Sequence, residues 1–87
     1  TVALIISDEF SAITAAIEEK LDRGVTILEG RGGYSGERKQ VLLCAIRRRQ
    51  APQLKSIVRE IDPEAFVILQ EAHQVLGEGF RRNGDEM

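Results

Sequence analysis

Eighty-seven residues with twelve Lys and Arg against fourteen Asp and Glu, a formal charge of −2, make one domain without the basic field that draws proteins to nucleic acid, so no nucleic acid polymer is expected as a partner. A chain this short buries only about 60–65% of the surface its unfolded form exposes, which leaves a thin core and makes association into a closed oligomer an economical way to add buried area. No run reaches the ~18–20 apolar residues of a membrane span, and the N-terminus lacks a basic-then-apolar signal pattern, so the chain as given reads as soluble.

The chain opens at Thr1 inside strand-like sequence, which points to a piece of a longer protein. Val2 to Ile6 is a short apolar run of the kind found in a strand buried on both faces. Ser7 or Asp8 can cap the helix that follows, in which Phe10, Ile13, Ile17 and Leu21 recur at three- and four-residue spacing. Gly24 is expected to stop that helix in a left-handed conformation. Val25 to Glu29 then reads as a second strand and Val41 to Ile46 as a third. Gly30, Gly32, Gly33 and Gly36 make the segment between them a mobile loop, Gly30 to Lys39.

A second helix starts near Pro52, whose missing N–H costs nothing in a first turn, and buries Leu54, Ile57, Val58 and Ile61 before Asp62-Pro63 ends it. Ala65 to Leu69 supplies a fourth strand. Gln70 to Leu76 is ambiguous and is taken as extended, with Gly77 and Gly79 breaking it. Residues 1–80 form the domain, and Arg81 to Met87 a polar tail. The order β-α-β-β-α-β predicts an α+β fold of the ferredoxin-like kind, a four-stranded antiparallel sheet with two helices on one face. The second and third strands are apolar at both parities, so both sheet faces look covered, and Leu42, Cys44 and Ile46 are candidate subunit-interface residues.

Gly32, Gly33 and Tyr34, followed by Arg38 and Lys39, can hold an anion through backbone N–H groups and two cations, or can simply be a hairpin connection with a charged tip. The spacing matches neither the phosphate loop nor the dinucleotide fingerprint. Arg47, Arg48 and Arg49 are either a solvated edge or a source of positive charge beside the second helix. Phe80, after Gly77-Glu78-Gly79, reads as a C-terminal latch or a subunit contact. Cys44 lies in an apolar run and reads as core filler, and His73 has no companion at metal-ligand spacing. Neither a metal site, a cofactor nor a catalytic constellation is assigned.

The strings Ile5-Ile6-Ser7, Arg23-Gly24-Val25-Thr26, Gly32-Gly33-Tyr34-Ser35-Gly36, Ile61-Asp62-Pro63-Glu64-Ala65-Phe66 and Val75-Leu76-Gly77-Glu78-Gly79-Phe80 together resemble the C-terminal cytosolic domain of bacterial YitT-type membrane proteins. That resemblance implies a ferredoxin-like fold related to PII-type signalling proteins and attachment to the protein's own transmembrane helices. It also implies a homo-oligomer, a trimer by analogy with PII, with a small anion or nucleotide bound between subunits near the loop after strand two. A regulatory module is the expected function; a structural oligomerisation module and a small enzyme are the alternatives.

Overall fold

The computed structural model describes residues 1–72. Strand β1 (Val2–Ile6) leads into helix α1 (Phe10–Lys20), then the antiparallel strands β2 (Thr26–Arg31) and β3 (Arg38–Ala45). A short 3-10 turn over Arg48–Gln50 feeds helix α2 (Ala51–Ile61), and strand β4 (Phe66–Gln70) completes the sheet. The strand order is β2-β3-β1-β4. Every neighbouring pair is antiparallel. This is the split βαβ arrangement, an α+β fold with β1 and β3 central and β2 and β4 at the edges.

Alternation along the strands decides which side chains meet the helices. Ala3 and Ile5 of β1 and Leu42 and Cys44 of β3 turn inward. There they join Ile13, Ile17 and Leu21 from α1 and its C-terminus, and Leu54, Ile57 and Val58 from α2, in a single buried cluster. The helical residues recur at three- and four-residue spacing, which aligns them on one stripe of each helix. Pro52 occupies the first turn of α2, where its missing N–H leaves no bond unmade.

Three details differ from the sequence reading. The backbone N–H of Leu21 closes α1 on the Ile17 carbonyl. The left-handed residue is Asp22, with φ 54°, while Gly24 has no positive φ. Aspartate tolerates that region better than most residues, and reversing the chain there delivers Arg23 to the interior. Strands β2 and β3 also run further toward each other than their apolar residues indicate, pairing Gly30 with Lys39 and Arg31 with Arg38. Ladder hydrogen bonds come from the backbone, so polar side chains extend the hairpin as well as apolar ones do. Only residues 32–37 remain as the connecting loop.

The third difference concerns the sheet faces. Leu42 and Cys44 lie in the core at 0% and 1% exposure, and Ile46 beside them at 1%, so these three are corrected from subunit contacts to monomer interior. The opposite parity carries Val2, Leu4 and Ile6 of β1, Val41, Leu43 and Ala45 of β3, Leu28 of β2, and Phe66 and Ile68 of β4. None of these is fully buried, and Leu28, Phe66 and Ile68 are openly exposed. Among the described residues, no element lies across this face.

Candidate functional site

The hairpin loop is closed by its own hydrogen bonds. Gly32 donates its N–H to the Glu37 carbonyl at 2.8 Å, and Gly36 donates to the Gly32 carbonyl at 2.9 Å. Glu37 donates its N–H to Ser35 Oγ at 3.2 Å. Gly36 takes φ +75°, a conformation that favours glycine, whereas a Cβ on Gly32 would lie 2.7 Å from Ser35 Oγ and would need that side chain to turn away. The reading of this segment as a mobile loop from Gly30 to Lys39 therefore gives way to a short, internally bonded connection. Three N–H groups once available to an anion are engaged within it.

Around the loop, Tyr34 stands fully exposed at the tip. Lys39 Nζ lies 3.8 Å from Glu37 Oε1, an exposed ion pair of little energetic weight. Arg38 sits directly opposite Arg31 across the ladder. Successive strand residues face opposite ways, so Arg38 and Lys39 serve different faces of the sheet. A cleft of about 330 Å³ at this end is lined by Glu29, Gly30, Arg31 and Arg38.

The other cationic group is elsewhere. Arg47, Arg48 and Arg49 follow the far end of β3, about 25 Å along an eight-residue strand from Arg38, so the two basic clusters do not form one site. Arg48 forms an ion pair with Glu71. The Arg47 N–H donates to Gln50 Oε1 at 2.9 Å. That same oxygen accepts from Arg23 Nε at 3.1 Å, and Gln50 Nε2 donates to the Leu21 carbonyl at 3.1 Å. Arg23, only 2% exposed, and Gln50 thus tie the end of α1 to the start of α2. Gln50 does not stand out in the sequence, because a lone Gln after three arginines carries no motif.

A second polar tie lies at the opposite end of the sheet. Ser7 Oγ donates to Asp62 Oδ2 at 2.5 Å and accepts the Glu9 N–H at 2.9 Å, while Asp62 Oδ1 accepts the Glu64 N–H at 3.0 Å. Ser7 thereby orients the start of α1 without being its N-cap, and Asp62 is the C-cap of α2, its backbone N–H donating to the Val58 carbonyl at 2.7 Å. The Cys44 thiol is pushed up to about 11 by burial, which outweighs the lowering effect of Arg23 and is reinforced by Glu18. A thiol so far from ionisation is a poor nucleophile at neutral pH. Among the described residues, no three His, Cys, Asp or Glu side chains group as metal ligands. Phe80 and His73 lie outside the described residues.

Residues 23–77 match the family described as "Uncharacterized protein conserved in bacteria (DUF2179)". The chain is 47% identical over 81 residues to a Bacillus sp. (strain PS3) protein called "Uncharacterized protein in cccA 5'region", an alignment covering 93% of this chain and 54% of that one. It is 44% identical over 80 residues to the UPF0750 membrane protein YvjA of Bacillus subtilis (strain 168), covering 92% of this chain and 28% of YvjA. The chain thus spans about half of the first relative and little more than a quarter of the second. A crystal structure of a DUF2179 protein from Eubacterium ventriosum superposes with a TM-score of 0.71 at 30% identity, over 80% of this chain and 96% of that one. No helix among the described residues is long and apolar enough to cross a membrane. The chain belongs to the DUF2179 family, a domain shared with the UPF0750 membrane proteins that include YitT of Bacillus subtilis.

Proposed function

We propose that this domain is the cytoplasmic regulatory module of a bacterial integral membrane protein, that it associates with further copies of itself through the open sheet face, and that it takes a small anionic ligand near the β2–β3 hairpin. The observation that carries the reading is the open face itself. Leu4, Ile6, Val41 and Leu43 form its centre, with Leu28, Phe66 and Ile68 exposed around them. A contiguous apolar surface of this kind on a small domain marks a protein contact, and a second copy offers an equally apolar surface to cover it. By analogy with PII proteins the closed assembly is a trimer, which would bring hairpins of neighbouring subunits to shared boundaries. Gly32, Gly33, Tyr34, Arg38 and Lys39 then surround that site, Arg38 from one face of the hairpin and Lys39 from the other, while Arg47 to Arg49 lie beyond the far end of β3 and do not reach it.

Native mass spectrometry of the 87-residue chain reads subunit number and retained small-molecule mass together. An oligomer that Leu43→Lys converts to monomer supports the reading. A parent chain that stays monomeric at micromolar concentration rejects the association through the open face. A second reading, an assembly module without a ligand, is favoured by one observation: the N–H groups of Gly32, Gly36 and Glu37 are already bonded within the turn. An oligomer that retains no small molecule and binds none on titration selects that alternative.

A further inference from the structure

We propose that Arg31 and Arg38 form a two-arginine clamp for the phosphate group of a phosphate ester, a proposal that rests on the anion-binding part of the function above and assigns that anion a chemistry and a place. Arg31 is not a candidate on sequence grounds, because nothing in the sequence pairs it with Arg38. The ladder pairs it with Arg38, both exposed and both on one face of the hairpin. Among the described residues neither arginine has a carboxylate partner; the acid side chains nearest in sequence are Glu29, which lines the same cleft, and Glu37, which approaches Lys39.

Like charges directly opposite each other weaken a sheet. A ligand anion between them reverses the sign of that term. Opposed residues in an antiparallel pair stand about 4.5–5.5 Å apart at their Cα atoms, so two guanidinium groups on long stems can reach the oxygens of one phosphate. The planar fork of arginine suits that geometry better than the point charge of lysine. The cleft of about 330 Å³ accommodates a phosphate with a small substituent. Its one carboxylate, Glu29, is an acceptor for a hydroxyl on that substituent and leaves the cleft with a single net positive charge. A phosphate ester bearing hydroxyl groups matches both features. Such an ester comes either from a soluble nucleotide or from the headgroup of a phosphatidylglycerol membrane.

The test titrates the full 87-residue chain with AMP by calorimetry and, separately, measures co-sedimentation with phosphatidylcholine vesicles with and without phosphatidylglycerol. The parent chain is expected to bind one of the two probes, AMP binding identifying a soluble ester and phosphatidylglycerol binding a headgroup. Arg31→Ala and Arg38→Glu are each expected to weaken that binding by at least about tenfold, while Lys55→Ala on α2 changes it by less than about threefold. Arg38→Glu is also expected to melt no lower than the parent, because it places opposite charges across the ladder, so lost binding is not lost folding. Failure of the parent to bind either probe overturns the clamp, as does parent-like binding by both arginine variants. Light scattering on the same samples keeps the readings apart: an oligomer that binds neither probe rejects the clamp alone, and a monomer that binds AMP through Arg31 and Arg38 rejects the assembly alone.

Discussion

Leu42 and Leu43 are neighbours in β3 and chemically identical, yet one is sealed beneath the helices and the other belongs to the open face. The same contrast runs across the whole sheet. Ala3, Ile5, Leu42 and Cys44 on one side and Leu4, Ile6, Val41 and Leu43 on the other are comparable in apolar character. What separates them is the position of α1 and α2, both of which use their apolar stripe on the first side. The two helices cover β1 and β3 on that face, while Ile27 of the edge strand β2, opposite Leu42 and of the same parity, stays 45% exposed. Apolar residues on the second face are therefore not explained by the described fold of one chain, and that surplus is what makes the face a candidate contact surface.

Substitutions on the two faces separate folding from association. The largest effect is expected for Leu42→Ala, which empties a fully buried position and costs about 2–5 kcal/mol in urea unfolding. Stability close to that of the parent would mean that the helix-covered face is not the main core. Gln50→Ala comes next. It removes the acceptor of Arg23 and Arg47 and the donor to Leu21, with an expected loss of about 2–3 kcal/mol by the same measurement.

Cys44 reports on the covered face through pH. Its thiol titrates at about 11 in the folded chain against 9.0 for the free group, so burial favours the protonated form. Its contribution is complete below pH 9.0 and is lost as pH rises through about 11, because the unfolded chain releases its proton first. The parent is expected to lose on the order of 2 kcal/mol more than Cys44→Ala across that window. Equal pH slopes for the two proteins would show that the thiol is accessible.

The smallest effect on folding, and the sharpest contrast, belongs to Leu43→Lys. On an uncovered face it should change the unfolding free energy of the monomer by less than about 1 kcal/mol while abolishing association. A loss as large as that of Leu42→Ala, in a protein that is monomeric to begin with, would erase the distinction between the two faces.

Much of the architecture is legible in the residues. The spacing of Phe10, Ile13 and Ile17, and of Leu54, Ile57 and Val58, places both helices, and short apolar runs place the strands. The hairpin site was read less completely. Gly32, Gly36, Tyr34 and Arg38 stand out by residue type, but the continuation of β2 past Glu29 through Gly30 and Arg31 does not, since those two residues have no strand pattern. Arg31 became visible only through its partner.

The sequence by itself determined the order of elements, the amphipathic stripes of the helices, and the apolar character of both parities in β3. Those are local properties, set by residue type and spacing along the chain. Only the tertiary structure decided which parity is buried, that Asp22 and not Gly24 reverses the chain after α1, that Gln50 meets Arg23, and that Arg31 faces Arg38. Each of these depends on a register or a long-range contact, and a strand shifted by one residue would exchange its two faces while leaving the composition untouched.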